Sequence, residues 1–135
     1  MKFFDTNILL YAAASASDEA QKRARAMALI ARGDVATSGQ VLAEFYYNAT
    51  NKIKPPLDHA EALGWLDRLR HFPVVPVTAT LVARGAATAK RFQISYWDGA
   101  ILAAAEEIGA ETMYSEDLNH GQRYGPVRVI NPFLD

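Results

Sequence analysis

The sequence contains no cysteine. Disulfides, thiolate nucleophiles and cysteine-bound zinc are therefore excluded, and nothing opposes a reducing compartment. Charge of one sign is lacking too: 14 Lys and Arg stand against 15 Asp and Glu, a formal charge of −1. A protein that gripped nucleic acid through bulk positive charge would not have this balance, so any such contact must be local. Long hydrophobic runs are also missing. No stretch approaches the ~20 apolar residues of a transmembrane helix. The apolar start after Met1-Lys2 is broken by Asp5-Thr6-Asn7, where a secretory signal needs an unbroken apolar centre. The expectation is a cytoplasmic protein that does not engage a membrane. What is present, 50% hydrophobic and 21% charged residues over a length of 135, describes one folded domain spanning 1–135 rather than a disordered chain.

Short apolar runs alternate with helical patterns. Phe3-Phe4 opens the chain, and Asp5-Thr6-Asn7 offers capping side chains to a helix reaching about Tyr11. Asp18 can cap a second helix, with Ala20, Ala24, Met27 and Ala31 at helical spacing and Gly33 as its stop. Val35-Ala36-Thr37 reads as a buried strand, and Ser38 caps a helix carrying Val41, Leu42, Phe45 and Tyr46. After the Pro55-Pro56 break, Asp58 and Glu61 have capping-box spacing ahead of Leu63, Trp65, Leu66 and Leu69. Val74-Val75-Pro76-Val77 is extended and, with its proline, suits a sheet edge. Thr78 and Ser95 cap two further helices, ending near Phe92 and Ile108. Thr112-Met113-Tyr114 and Val127 to Ile130 are strand-like, separated by a polar loop. Such alternation predicts an α/β domain with a mainly parallel sheet covered on both faces.

In open parallel sheets, ligands bind beyond the carboxyl ends of the strands. Asp5 and Asp117 fall at such ends, Asp98 opens a helix, and Glu44 lies about two turns into the helix after the second strand. Carboxylates from separate elements suit a hard divalent cation, which prefers oxygen ligands and is usually held by one or two carboxylates plus water and phosphate. Each acid also has a plain structural reading. Asp5 and Asp98 stand where helix caps stand, Asp117 fits an Asx turn, and Glu44 shares a helix face with Gln40, Tyr47 and Asn48.

Four ordered blocks carry a resemblance that no single acid carries. They are Phe3-Phe4-Asp5-Thr6-Asn7-Ile8-Leu9-Leu10-Tyr11, Ser38-Gly39-Gln40-Val41-Leu42-Ala43-Glu44-Phe45, Ser95-Tyr96-Trp97-Asp98-Gly99-Ala100-Ile101-Leu102-Ala103-Ala104-Ala105, and Tyr114-Ser115-Glu116-Asp117-Leu118-Asn119-His120-Gly121. In these blocks the sequence resembles the PIN-domain proteins, most closely the VapC toxins of toxin–antitoxin pairs. The resemblance implies a three-layer α/β/α sandwich whose acids, here Asp5, Glu44, Asp98 and Asp117, bind one or two Mg²⁺ or Mn²⁺ ions and cut RNA. It further implies a cognate VapB-like antitoxin as partner and a homodimer.

On that reading Asp5 and Asp98 are the principal metal ligands, and Glu44 and Asp117 complete the set directly or through water. Thr6, Asn7 and Ser115 orient ligands or metal waters. Glu116 and His120, next to the last acid, leave open which side chains point inward. His59 and His71 read as structural. Lys22, Arg23, Arg25, Lys52, Lys54 and Arg123 are candidates to steer an RNA backbone, and Tyr11, Tyr47 and Trp97 to stack on bases, with Trp97 better suited to the core. Tyr46, Tyr47, Leu57, Trp65 and Leu66 could supply an apolar dimer patch. Two other classes compete: a haloacid-dehalogenase-like phosphotransferase with Asp5 as nucleophile, although Asn7 stands where that family has a second Asp, and a non-catalytic module on the same scaffold.

Overall fold

Phe3 and Phe4 point to opposite sides of their strand, yet both are fully buried. Strand β1 (Lys2–Phe4) must therefore be covered on both faces, and it is the inner strand of a six-stranded sheet. The computed structural model describes residues 1–15 and 19–134. After β1 come α1 (Thr6–Ala13), α2 (Ala20–Ala31), β2 (Val35–Ser38), α3 (Gly39–Asn51), α4 (His59–Leu69) and β3 (Val74–Val75). The second half comprises α5 (Ala79–Phe92), α6 (Tyr96–Glu107), β4 (Thr112–Tyr114), β5 (Arg123–Tyr124) and β6 (Val127–Ile130). The sheet order is β3-β2-β1-β4-β6-β5, parallel except for β5.

The chain steps from β1 to β2 to β3 on one side, then crosses to β4 on the other. Because such crossovers are right-handed, α1–α4 are placed on one face and α5–α6 on the opposite one. The packing agrees: α1 contacts α2 and α3, α3 contacts α4, and α5 lies along α6, which itself lies against β2, β4 and β6. The expected α/β/α layering is thus present. Among the described residues, no helix is long and apolar enough to cross a membrane.

Most helix starts follow the sequence closely. Ser38, Thr78 and Ser95 each accept a hydrogen bond from the backbone N–H three residues on, and Asp58 and Glu61 close a reciprocal capping box. Gly33, at φ +79°, ends α2 as expected. The Asp18 cap lies outside the described residues. Three expectations fail. In α2 the buried face is Ala26 and Leu29, not Ala20, Ala24, Met27 and Ala31. Alanines surround this helix, so their spacing selects no face, and the larger Leu29 decides it. Leu63 of α4 is exposed, because the inward face carries Ala62 together with the expected Leu69. The polar loop after β4 contains β5, which pairs antiparallel with β6. Two residues are too few to display a strand period.

Helices α5 and α6 approach closely at glycines. A methyl on Gly99 would lie 2.7 Å from the Ala89 nitrogen and 2.7 Å from the Gly85 carbonyl oxygen. Because backbone cannot yield as a flexible side chain can, Gly99→Ala is expected to destabilise the protein by about 1–3 kcal/mol in chemical denaturation. Gly64, inside α4, has nothing within 4 Å of its missing methyl. Gly64→Ala should instead stabilise by about 0.5–1 kcal/mol, through helix propensity.

Candidate functional site

Strand order reverses between β1 and β4, and the crevice beyond such a reversal is where open α/β sheets bind ligands. Phe4 is level with Tyr114 in the parallel register, so the next residues along, Asp5 and Ser115, stand side by side. The Asp5 N–H donates to the Tyr114 carbonyl (3.1 Å) and the Ser115 N–H to that of Ile130 (3.1 Å). Ladder bonds therefore fix both backbones at the crevice floor.

A cleft of about 700 Å³ opens there, and its lining includes Asp5, Thr6, Asn7, Glu44, Asp98 and Asp117. All four sequence-predicted acids meet in it. Asp5 is 4% exposed. One of its oxygens accepts the Thr6 N–H (2.6 Å) and the other the Ser115 hydroxyl (2.8 Å). The same Ser115 oxygen accepts the Asp117 N–H (3.1 Å), so one hydroxyl ties two acids together. Thr6 Oγ1 donates to Glu44 Oε1 (2.8 Å), and Gln40 Nε2 donates to Glu44 Oε2 (3.2 Å). Asn7 Nδ2 faces both oxygens of Asp117 at 3.1 Å. The Asp98 N–H is capped by Ser95 Oγ (3.1 Å), while its carboxylate accepts no hydrogen bond among the described residues. Capping and cleft lining thus coexist at Asp5, which also caps α1.

The electrostatics record crowding. Burial pushes the Asp5 carboxyl up to about 6, against the hydrogen bonds from Ser115 and Thr6, and the charges of Asp117 and Asp98 add to the rise. Partial burial, then the charges of Asp98 and Glu116, raise Asp117 as well. Among the described residues no Lys, Arg or His forms an ion pair with any of the four acids.

This donor set consists of oxygen alone, the chemistry of a Mg²⁺ or Mn²⁺ site. Among the described residues no three acidic or histidine side chains close into a complete ion cage. Magnesium does not require one, since it keeps several waters and takes one or two carboxylates with phosphate. The residues fit an open site.

Neighbours that the sequence left undecided divide cleanly. Glu116 turns away from the cleft: Tyr11 Oη donates to its Oε1 (2.7 Å) and Lys22 pairs with its Oε2. Bonding to Glu116 raises the Lys22 ammonium above its ordinary range, while burial and the same glutamate raise the Tyr11 phenol. Tyr11, packed edge-on against Phe133, is therefore committed to structure. His120 Nδ1 accepts the Asn131 N–H (3.0 Å), and His59 meets Tyr46 Oη (2.9 Å). Of the basic candidates, Lys52 lines the acidic cleft, whereas Lys22 is paired and Arg25 donates to the Pro132 carbonyl.

Trp97 requires a correction. It is 61% exposed and lines the cleft instead of the core. Helix α6 is buried nearly all round from Gly99 to Ala105, so it has no single apolar stripe on which a first-turn residue can be placed. Of the proposed dimer patch, Tyr47 is 59% exposed and also lines the cleft, while Leu57, Trp65 and Leu66 pack against the core. Gln40, which ties Glu44 to the Trp97 carbonyl (3.2 Å), went unassigned, although its i,i+4 spacing to Glu44 was a usable signal.

Among solved structures, the fold is similar to that of VapC20 from Mycobacterium tuberculosis, a toxin that cleaves the sarcin–ricin loop. The TM-score is 0.69 at 20% identity, covering 87% of this chain and 90% of that one. A toxin–antitoxin complex from Klebsiella pneumoniae gives a TM-score of 0.70 at 18% identity, covering 98% of each chain. VapBC2 from Rickettsia felis, bound to a DNA fragment from its promoter, gives 0.62 at 18% identity, covering 95% of this chain and 96% of that one. No curated protein sequence matches the chain. The model of the PIN domain family matches residues 2–125, which sets aside the haloacid-dehalogenase-like reading. By that match, over nearly its whole length, the chain belongs to the PIN domain family.

Proposed function

We propose that this protein is a Mg²⁺- or Mn²⁺-dependent endoribonuclease, the toxin of a toxin–antitoxin pair, which hydrolyses phosphodiesters of single-stranded RNA. The observation that carries the reading is the meeting of Asp5, Glu44, Asp98 and Asp117 in one cleft with no cationic partner among the described residues. Likeness in fold to toxins and to toxin–antitoxin complexes supports a protein antitoxin as partner. Homodimerisation and a cytoplasmic setting belong to the same proposal.

Asp5 and Asp98 are assigned as principal ligands, with Glu44 and Asp117 completing the set. When bound, the ion supplies Lewis acidity toward the phosphate oxygens and acidifies water. The chain's own residues do the positioning. Ser115 and Thr6 hold both Asp5 oxygens in one orientation while leaving each a free lone pair. Asn7 steers Asp117, and Thr6 with Gln40 steers Glu44. A metal-free ribonuclease using the 2′-hydroxyl would need paired acid and base groups such as histidines. Among the described residues no histidine lines this cleft. Water is then the nucleophile, the bond from phosphorus to O3′ breaks, and the ends left are 5′-phosphate and 3′-hydroxyl.

Purified protein should cleave single-stranded RNA with Mg²⁺ or Mn²⁺ and stop when EDTA is added. Asp5→Asn or Asp98→Asn should lower the rate by on the order of 10²-fold or more, reasoning from the loss of one preorganised charge-stabilising group. End-labelling should find 3′-hydroxyls. Equal cutting by metal-free protein, or wild-type activity in Asp5→Asn, refutes the metal-dependent reading, and wild type that cuts no RNA with either ion leaves the non-catalytic module.

Ser115→Ala removes the hydroxyl that joins Asp5 to Asp117. Leaving a buried carboxylate oxygen and an N–H without their partner should cost about 1–3 kcal/mol of stability. Loss of ligand orientation should weaken Mg²⁺ binding about 10–100-fold in calorimetric titration. Ser115→Thr, which keeps the hydroxyl, should retain most of both.

A further inference from the structure

Among the described residues, Tyr47 and Trp97 are the exposed aromatic side chains; every other aromatic is buried or half-buried. The two lie on different helices, α3 and α6, yet both line the acidic cleft. Tyr47 is three residues from Glu44 on the same helix face, and Trp97 directly precedes Asp98. Each aromatic therefore stands one step from a cleft carboxylate.

The charge distribution explains why that placement matters. A polyanion approaching this cleft meets four carboxylates and, among the described lining residues, one cation, Lys52. With a formal charge of −1 for the whole chain, long-range attraction cannot supply the affinity that basic nucleic-acid-binding proteins obtain from phosphates. Away from the one phosphate that an ion at the carboxylates would hold, the free energy that binds a strand must come from uncharged contact, and the uncharged part of a nucleotide is its base. Aromatic side chains provide that contact by stacking, with little regard to base identity. In a duplex the faces of the bases are already covered by their neighbours, so such a platform selects unpaired nucleotides.

We propose that Trp97 and Tyr47 form a stacking platform for the unpaired bases flanking the phosphate held at the carboxylates. This rests on the nuclease reading above and names what grips the substrate. The Trp97 side is pre-organised, which lowers the ordering cost of binding. Tyr96 packs edge-on against the Trp97 ring (5.1 Å between centroids, 76° between planes), and Gln40 Nε2 holds the Trp97 carbonyl. A single hydrogen-bonding side chain thus ties the Trp97 turn to Glu44.

The test uses the full-length protein with Trp65→Phe, which leaves Trp97 as the one tryptophan. Titration with a short oligouridylate or oligoadenylate should quench its fluorescence, and a blunt duplex of equal charge should not. In steady-state cleavage with Mg²⁺, Trp97→Ala and Tyr47→Ala should each raise KM by about 10-fold, the scale of one lost base stack. Trp97→Phe should recover most of that loss. On a substrate abasic at the nucleotides flanking the cleaved bond, wild type and Trp97→Ala should have the same KM, a result that a merely structural tryptophan would not give. Unchanged KM in both alanine variants, or equal quenching by duplex and single strand, overturns the platform. Wild type that never cleaves refutes the nuclease reading, and the quenching experiment still decides the platform on its own. If no oligonucleotide quenches Trp97 and Trp97→Ala alters only self-association in ultracentrifugation, the aromatic pair is a protein interface and the proposal is wrong.

Discussion

Four carboxylates sharing one cleft repel one another, and the architecture around them is organised to hold them there regardless. The cost is visible at Asp5, whose burial without a cationic partner among the described residues pushes its carboxyl up to about 6. Two short hydroxyl side chains make the arrangement possible. Ser115 joins Asp5 to the backbone of Asp117, and Thr6 joins Asp5 to Glu44 through its N–H on one side and its hydroxyl on the other. Hydrogen bonds to the ionised form offset part of the desolvation penalty. The divalent charge proposed for this site would remove the remainder, so the crowding that weakens the metal-free cleft would favour a bound cation.

Elements remote from the cleft set how its members point. Asp117 lies on a loop, where side-chain direction is ordinarily loose. Its neighbour Glu116 is drawn to the opposite side by Tyr11 and Lys22, and that anchor, with His120 bonded to Asn131, turns Asp117 inward. Asp98 depends on a different constraint. Its neighbour Gly99 lets α6 approach α5 at backbone distance, so the position of the carboxylate is fixed by packing on the face of the sheet away from α1 and α3. Loop chemistry and helix packing thus meet at one set of oxygens.

The sequence made the framework legible because its punctuation is local. Caps at Ser38, Asp58, Thr78 and Ser95, and the stop at Gly33, operate within a few residues and survive folding unchanged. Asp5, Asp98 and Asp117 could be singled out because each falls near a strand end or helix start, and Glu44 because its helix follows a strand. Their convergence could not be, since it depends on β4 inserting beside β1, a pairing between residues more than a hundred positions apart. The inward face of α2 was also hidden, as its alanines mark every direction equally. Strand β5 was hidden by its brevity. Tryptophan at position 97 misled for a physical reason: its size argues for burial, but it stands in the first turn of α6, at the open cleft and ahead of the buried run from Gly99 to Ala105.

Two departures from ordinary folding economy occur side by side here, a carboxylate inside and an aromatic outside. Natural sequences are locally consistent except where function demands otherwise, so paired violations within one cleft carry more information than either alone. A buried acid by itself is compatible with a capping role, and Asp5 does cap α1. Exposed Trp97 by itself is compatible with a contact between proteins. Together they describe a surface that repels anions by charge, yet offers flat apolar faces one residue from Asp98 and one helical turn from Glu44. The unpaired nucleic-acid strand proposed as substrate suits both, because it carries phosphate and ring in alternation along its covalent structure.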